Sequence, residues 1–322
     1  MVHAERADVI PQSRYDQIMA ETVIPFLQKT GSSAAFDRGS GSIYYEGYCP
    51  EQPVGVVVMA HGFTENAEKY REMIYYLVRA GYAVYIYDQR GHGRSVRTQE
   101  DLSLVHIEHY EEYLDDLAYI AEMAAKEHPE LPLYLYAHSM GGGIGAAFLE
   151  RRAEVFRKAV LTSPMIMPQT AGIPFCIARL IAIVMTGLGQ GIKYVIGQHP
   201  FQNNETFEAS AASCKERFEY YNRKRAKEKL FQDDGGSYRW LREATALSAS
   251  VQKKENCRKI RADVLVFQAQ DEAFVDNAAM DRFAQRVDRI KLVKTTGTRH
   301  EIYLSPDAVM EDYVGEILKF LH

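Results

Sequence analysis

Short runs of β-branched and aromatic residues alternate along this chain with longer amphipathic stretches. The runs have the length and composition of buried strands, and the stretches between them have helical periodicity. The predicted strands are residues 54–60, 83–87, 133–136, 158–162, 263–269 and 290–295, and the predicted helices are residues 67–79, 107–126, 141–151 and 306–321. This alternation predicts an α/β fold with a mostly parallel sheet that helices cover on both faces.

One interval departs from this rhythm. Residues 165–245 hold helix-like segments rich in aromatic and basic residues and no clear strand. We therefore predict that residues 1–164 and 246–322 form the α/β core, and that residues 165–245 are an inserted helical cap. Because ligands bind outside the carboxyl ends of the strands in open α/β sheets, the cap is expected to lie over the site.

The composition is that of an ordinary globular protein and narrows the functional classes. Of 322 residues 47% are hydrophobic and 25% charged, and the formal net charge is -5. An acidic balance argues against a nucleic-acid partner, which would favour a basic face. Residues 1–8 carry charges where a secretory signal peptide needs an apolar run. The longest apolar stretch, residues 173–185, contains Arg179 and is shorter than the roughly 20 residues that cross a bilayer.

The four cysteines are Cys49, Cys176, Cys214 and Cys257. They lie far apart and form no CxxC pair, so neither a zinc site nor a redox motif is expected. Free thiols indicate a reducing compartment. The sequence therefore predicts a cytoplasmic protein without a metal site.

The segment Ala137-His138-Ser139-Met140-Gly141 lies where a predicted strand gives way to a glycine-rich helix. It has the form of a G-x-S-x-G nucleophile elbow with alanine in the first glycine position. Small neighbours permit the sharp turn, and the helix N-terminus beside the serine favours negative charge. An ordinary turn with an N-capping serine is the alternative, but the strand before and the helix after favour Ser139 as a nucleophile.

A serine nucleophile needs a base, and the base needs an acid that orients it. In folds with this elbow the chain order is serine, acid, histidine. Of ten histidines, His300 alone follows the last predicted strand and precedes the final helix, so it is the candidate base. The acid should follow the strand at residues 263–269, where Asp271, Glu272 and Asp276 stand. Composition does not choose among these three carboxylates.

Acyl transfer also needs donors for the oxyanion. The backbone N–H of Met140, directly after the serine, is one candidate. The second should come from the loop after the first core strand, where the N–H of Phe63 is the natural choice. Taken alone, the His61-Gly62 pair in this loop would be an ordinary strand-ending turn, and only the elbow makes it the expected partner.

Four short motifs stand at the ends of the predicted strands. They are M-A-H-G-F-T-E-N at residues 59–66, Y-D-Q-R-G-H-G-R-S at 87–95, A-H-S-M-G-G at 137–142 and R-H-E at 299–301. Together they resemble the α/β-hydrolase superfamily, and within it the bacterial lysophospholipase and monoacylglycerol lipase branch. The resemblance extends from about residue 40 to the C-terminus.

The resemblance implies Ser139 as nucleophile, His300 as base, and Phe63 and Met140 as oxyanion donors. In the family pattern G-x-x-D the last residue is the acid, three residues before a Val or Cys. In this chain that position falls on Glu272, with Asp271 as the second candidate. A glutamate is an accepted member of such triads.

The resemblance also implies a reaction. The expected reaction is cleavage of the carboxylic ester of a single-chain lipid, a lysophospholipid or a monoacylglycerol, through an acyl-enzyme on Ser139 and without a cofactor. A carboxylesterase of small esters and a non-catalytic hydrolase-like binding protein are the alternatives. Headgroup and oligomeric state stay open.

Three parts of the predicted cap bear on that substrate. Residues 173–185 could line an acyl-chain slot or form ordinary cap core. The basic stretch at residues 215–229 could approach anionic headgroups or form a solvated helix face, so a peripheral membrane contact through the cap is considered. Residues 235–243 resemble the stretch that closes the cap in lysophospholipases.

Overall fold

The computed structural model describes residues 7–322 of the chain. The expectation that no signal peptide is present falls largely on residues 1–6, which lie outside the described residues. Among the described helices, none is both long and apolar enough to cross a membrane.

Ten strands are present in the described part of the chain. In chain order they are β1 (Gly31–Asp37), β2 (Ser42–Tyr48), β3 (Gly55–Ala60), β4 (Tyr82–Tyr87), β5 (Leu104–Val105), β6 (Leu133–His138), β7 (Lys158–Thr162), β8 (Gly235–Gly236), β9 (Asp263–Asp271) and β10 (Ile290–Arg299). Eight of them form one sheet in the order β1-β2-β4-β3-β6-β7-β9-β10, and β5 pairs with β8.

The α-helices of the described residues lie mostly between these strands. In chain order they are α1 (Tyr15–Ile18), α2 (Ile24–Thr30), α3 (Arg71–Arg79), α4 (Glu111–Glu127), α5 (Ser139–Arg151), α6 (Phe175–Gly187), α7 (Lys215–Arg225), α8 (Tyr238–Val251), α9 (Lys254–Cys257), α10 (Asn277–Ala284) and α11 (Asp307–Leu321). A π-helix joins α1 to α2 at Met19–Val23. Short 3-10 helices are Gln12–Arg14, Ala67–Tyr70, Phe207–Ala209, Lys229–Phe231 and Ile302–Leu304.

The predicted α/β class with a mostly parallel sheet is confirmed. The strand pairs from β4 through β3, β6, β7 and β9 to β10 are parallel, whereas β1 and β2 run antiparallel to their neighbours. Every residue of β3, β4 and β6 is buried. Strands covered by helices on both faces need such continuous apolar runs, which is why the sequence pattern located them.

The hydrophobic pattern did not predict β1 and β2. Most positions of β1 are exposed, and its Gly-Ser-Ser-Ala-Ala sequence carries no alternation. The strand lies at the sheet edge and is held by its backbone pairing with β2. Side-chain patterning reports burial, so an exposed edge strand leaves little signal.

The predicted helix at residues 107–126 begins later than expected. Helix α4 starts at Glu111. The apolar residues before it pack elsewhere in the protein. Leu104 and Val105 form β5, and Ile107 is buried in the core. Residues 107–110 were predicted as the first turn of the helix, whereas they form a loop between β5 and α4.

Residues 165–245, between β7 and β9, contain α6, α7, β8 and the start of α8. We call residues 165–245 the cap segment; its separation from the core stays a prediction, and the boundary at 246 falls inside α8. The expectation that this interval holds no strand is wrong at Gly235–Gly236, which pairs with β5. Two residues are too few to leave a hydrophobic pattern.

Helix α6 has a buried face and an exposed apolar face. Ala178, Ala182 and Thr186 are buried, and α6 packs on α8. On the other side Leu180 is 59% exposed and Val184 is 48% exposed. The outward half of residues 173–185 is therefore not cap core.

The basic stretch at residues 215–229 also has both buried and exposed side chains. The side chain of Arg217 is fully buried and bonds Glu72 at 3.0 Å. Arg225 is also buried and bonds Asp234 at 2.9 Å. Lys227 and Lys229 are exposed. The prediction of a solvated basic face therefore holds for only part of the stretch, since two of its arginines face inward.

Candidate active site

Ser139 lies at the sharp turn between β6 and α5. His138 ends the strand in an extended conformation, and Ser139 begins the helix with a φ of 50°. A positive φ is strained for a residue with a Cβ, and such strain persists only where surrounding contacts hold it. The turn thus places the Ser139 hydroxyl at the carboxyl edge of the sheet, as the elbow motif predicted.

The glycines after the serine allow α5 to approach its neighbours. A Cβ on Gly141 would overlap the carbonyl oxygens of Ala60 and His61 at the end of β3. A Cβ on Gly143 would lie 2.6 Å from the carbonyl oxygen of Met165. Glycine therefore lets the start of the helix lie against residues 61–66, the loop after β3, which we call the oxyanion loop for its predicted donor Phe63.

Ser139, His300 and Glu272 form one hydrogen-bonded series. The Ser139 Oγ lies 2.8 Å from His300 Nε2, and His300 Nδ1 lies 2.8 Å from Glu272 Oε2. All three side chains are almost wholly shielded from solvent. Asp271, the other candidate acid, ends β9 and is exposed. Asp276 caps α10 by accepting the N–H of Ala278.

A turn after β7 contacts both the serine and the histidine. The Ser163 hydroxyl donates to the carbonyl of His300 at 2.9 Å, and the N–H of Met165 donates to the carbonyl of Ser139 at 2.8 Å. Ser163 is buried and has a φ of 42°. Sequence patterning gave no indication of this residue, because a serine after a strand is ordinary turn chemistry.

Phe63 and Met140 are the residues predicted to donate to the oxyanion. Met140 is the second residue of α5, and the first N–H groups of a helix have no partner within it. Among the described backbone bonds outside helices and strands, none is donated by the Phe63 N–H. The Phe63 ring packs on Trp240 of α8, with 4.0 Å between ring centroids. The role of both N–H groups as oxyanion donors stays a prediction.

The loop that carries Phe63 is held by His61. The His61 Nε2 accepts the N–H of Gln89 at 2.8 Å, so the proton is on Nδ1, which donates to the Gly62 carbonyl at 2.7 Å. The Gln89 amide also donates to the His61 carbonyl at 2.5 Å. These contacts fix the conformation of the turn at His61-Gly62.

Glu65 is a buried carboxylate that sequence reasoning missed. It accepts the Gly62 N–H at 2.6 Å and the hydroxyls of Tyr70 and Tyr303, each at 2.5 Å. Lys69 Nζ lies 3.1 Å from it. Burial alone would raise its pKa, but the Lys69 charge and the donors together hold the pKa of Glu65 well below its ordinary value. The sequence did carry a signal for Glu65, because this residue stands within the motif at residues 59–66.

His138 lies between Glu65 and His300. Its ring centroid is 4.9 Å from that of His300, and its Nε2 is 3.9 Å from Glu65 Oε1. Burial lowers the pKa of His138 to about 3, although the Glu65 charge opposes that shift. His138 therefore stays neutral at physiological pH and adds no positive charge beside His300.

One group of the described residues could offer ligand atoms to a metal ion. It consists of His109, Glu111 and Glu243, whose ligand atoms lie within 4.8 Å of one another. His109 and Glu111 are exposed, and Glu243 already accepts the N–H of Tyr110 and bonds Arg242. The group lies between the start of α4 and α8 and shares no residue with the Ser139 series.

The chain is similar to proteins of a known family. The family model described as serine aminopeptidase, S33, matches residues 51–307. The chain is 26% identical over 319 residues to the probable lysophospholipase L2 of Haemophilus influenzae, covering 98% of this chain and 99% of the relative. It is 30% identical over 277 residues to lysophospholipase L2 of Escherichia coli K12, covering 83% and 80%.

The fold also matches solved structures. A soluble variant of monoglyceride lipase from Saccharomyces cerevisiae, solved with a substrate analogue, superimposes with a TM-score of 0.72 at 19% identity. The match covers 91% of this chain and 95% of that chain. At this identity the likeness concerns the fold, whose sheet and helices are those described above.

Proposed function

This chain belongs to the family described as serine aminopeptidase, S33, on the lysophospholipase and monoacylglycerol lipase branch of the α/β hydrolases, and on that premise we propose its mechanism and substrate. It is a carboxylic ester hydrolase. The proposed reaction is cleavage of the ester of a single-chain lipid through an acyl-enzyme on Ser139. The observation that carries this proposal is the hydrogen-bonded series from Ser139 through His300 to Glu272.

In the proposed mechanism His300 first acts as general base. Ser139 Oγ gives its proton to His300 Nε2 as it attacks the ester carbon, and the Glu272 carboxylate stabilises the imidazolium that forms. The N–H groups of Phe63 and Met140 donate hydrogen bonds to the carbonyl oxygen and stabilise the negative charge that develops on it. His300 then returns the proton to the departing alcohol, which leaves the acyl group on Ser139. A water deprotonated by His300 releases the fatty acid and restores the serine.

Two observations support a lipid rather than a small ester as the substrate. The relatives that cover most of this chain are named lysophospholipase L2. In this protein Phe274 is 50% exposed, and its ring centroid lies 5.0 Å from that of His300. An exposed aromatic ring beside the base offers an apolar surface to an acyl chain. A small-ester carboxylesterase is the alternative.

The apolar face of α6 supports a peripheral contact with lipid. Ile177, Leu180, Ile183 and Val184 are each between 45% and 59% exposed on one helix. Contiguous exposed apolar surface on a globular protein marks an interaction site. We place this contact at the cytoplasmic face of a membrane. The free state of all four cysteines supports a reducing compartment.

The test uses the whole chain and two substrate classes. A lysophospholipid and a monoacylglycerol of the same acyl length are supplied as micelles, and released fatty acid is measured. The Ser139→Ala variant should keep its fold and lose about 10⁴- to 10⁶-fold in turnover. A fluorophosphonate probe should label the wild type at Ser139 and leave the variant unlabelled. Undiminished turnover in Ser139→Ala would contradict the mechanism.

A further inference from the structure

We propose that the cap segment positions the general base, and that Arg299 and Ser213 are the residues through which it does so. The inference rests on the proposed role of His300. It gives the cap segment a part in the chemical step as well as in covering the substrate. Arg299 belongs to the R-H-E motif, but the proposed reaction assigns it no role.

The peptide N–H groups on both sides of His300 bond to the cap segment. The N–H of Arg299 donates to the Ser213 hydroxyl at 2.7 Å, and the N–H of Glu301 donates to the carbonyl of Ala211 at 3.0 Å. The backbone of His300 is thus held at the residue before it and at the residue after it. The Ser163 bond to the His300 carbonyl is the contact from the core side.

The side chain of Arg299 bonds to the same stretch of the cap segment. Its Nη1 lies 2.8 Å from the carbonyl oxygen of Phe207, and 3.2 Å from those of Ser210 and Ala212. The guanidinium also lies 5.3 Å from the centre of the Phe207 ring. Among the described residues Arg299 forms no salt bridge. A planar guanidinium with several donors suits this role, because it can hold several carbonyls of an irregular segment at once.

Two further bonds complete the contact. The N–H groups of Ser213 and Cys214 both donate to the carbonyl of Leu304, at 3.0 and 2.9 Å. Residues 207–214 therefore bond to the His300 loop at three places, which are Arg299, Glu301 and Leu304. Because several hydrogen bonds join the His300 loop to residues 207–214, a displacement of those residues should displace the loop as well.

The consequence is a coupling between the cap segment and the base. Proton transfer needs His300 Nε2 within hydrogen-bond reach of Ser139 Oγ, and a misplacement of about 1 Å can cost roughly 10²-fold in rate. If the cap segment only covers the substrate, loss of these bonds changes KM for long-chain esters. If it positions the base, the loss lowers kcat for every ester, including those too small to need the cap.

The experiment compares Arg299→Met with Arg261→Met. Arg261 is exposed and lies outside the cap contact, so it is the matched control. The readouts are the rate of Ser139 labelling by a small fluorophosphonate, and kcat and KM for p-nitrophenyl acetate across pH. We expect Arg299→Met to lower the labelling rate and kcat about 10- to 100-fold with little change in KM, and Arg261→Met to match the wild type.

A second pair of variants covers the case in which Arg299→Met fails to fold. Ser213→Ala removes one bond to the base loop and should lower the labelling rate about 3- to 10-fold. Ser213→Thr keeps the hydroxyl and should restore it. Wild-type labelling rates and kcat in both Arg299→Met and Ser213→Ala, or in Ser213→Ala alone if Arg299→Met does not fold, would overturn the inference while leaving the proposed function intact. Failure of the wild type to label at Ser139 would instead contradict the proposed function.

Discussion

The Glu272 carboxylate bonds His300 with one oxygen and its own loop with the other. Oε2 lies 2.8 Å from His300 Nδ1, while Oε1 accepts the N–H of Phe274 at 2.8 Å and that of Val275 at 3.2 Å. Both oxygens are therefore fixed in orientation. Asp271, one residue earlier, is the last residue of β9 and is exposed.

This relationship predicts different effects for two neighbouring substitutions. An amide in place of Glu272 cannot stabilise the imidazolium, so Glu272→Gln should lower kcat by about 10⁴-fold. Asp271→Asn, the matched control, should change kcat only a few-fold. Steady-state kinetics with a p-nitrophenyl ester measure both. A severe loss in Asp271→Asn with an active Glu272→Gln would assign the role to the aspartate.

The contacts of Glu65 predict a role in holding the oxyanion loop. Glu65→Gln replaces an acceptor of the Gly62 N–H and of two tyrosine hydroxyls with a group that also donates. Since the loss of one oxyanion donor costs about 10²- to 10³-fold, a displaced loop should cost somewhat less, and we expect kcat to fall about 10- to 100-fold. KM should change little, because these donors act mainly in the transition state.

Exposed Glu51→Gln is the control for that variant. It removes one carboxylate from the same region of the sequence without touching the loop. Equal kcat values in Glu65→Gln, Glu51→Gln and the wild type would show that the Glu65 contacts do not position the oxyanion donors.

Burial of Glu150 on α5 predicts a pH-dependent stability. Desolvation raises the pKa of Glu150 from 4.5 to about 8. Between those values the unfolded chain releases this proton and the folded chain keeps it, so the free energy of unfolding should fall as pH rises from about 4.5 to 8. Each pKa unit corresponds to about 1.4 kcal/mol. Glu150→Gln removes the titration and should stabilise the protein more at pH 9 than at pH 6.

Urea unfolding at the two pH values measures this difference. Glu154→Gln, at an exposed position a few residues on, is the matched control and should show no such pH-dependent gain. A Glu150→Gln variant with the wild-type pH dependence would mean that Glu150 is ionised in the folded protein.

The proposed lipid substrate predicts a dependence on acyl length. Each buried methylene contributes roughly 0.8 kcal/mol, so kcat/KM should rise about fourfold per methylene until the apolar surface is filled. A series of p-nitrophenyl esters from acetyl to palmitoyl measures this. A preference for acetyl or propionyl esters would favour a small-ester carboxylesterase.

The apolar face of α6 predicts binding to lipid vesicles. Leu180→Ser should weaken co-sedimentation with vesicles and leave hydrolysis of p-nitrophenyl acetate unchanged. Val54→Ser is the matched control, since Val54 is also 59% exposed but lies beside β3. Equal vesicle binding by the two variants would show that α6 does not form the contact.

The sequence by itself determined the central strands, the serine elbow and the candidate histidine. Each depends on neighbours within a few residues: a continuous apolar run for β3, β4 and β6, and small residues around Ser139. The edge strand β1 and its neighbour β2 were missed, because their pairing is made by backbone groups that a side-chain pattern does not record.

Tertiary structure alone decided which groups bond to one another around the site. Composition left Asp271, Glu272 and Asp276 equivalent and only the family resemblance favoured Glu272; of the three, the fold places Glu272 against His300. The same holds for Glu65, whose partner Tyr303 lies near the other end of the chain. No local sequence pattern predicts the bonds between the cap segment and the His300 loop, because the bonded residues are far apart in the chain. Hydrogen-bond partners depend on how distant segments pack, and packing is a property of the whole chain.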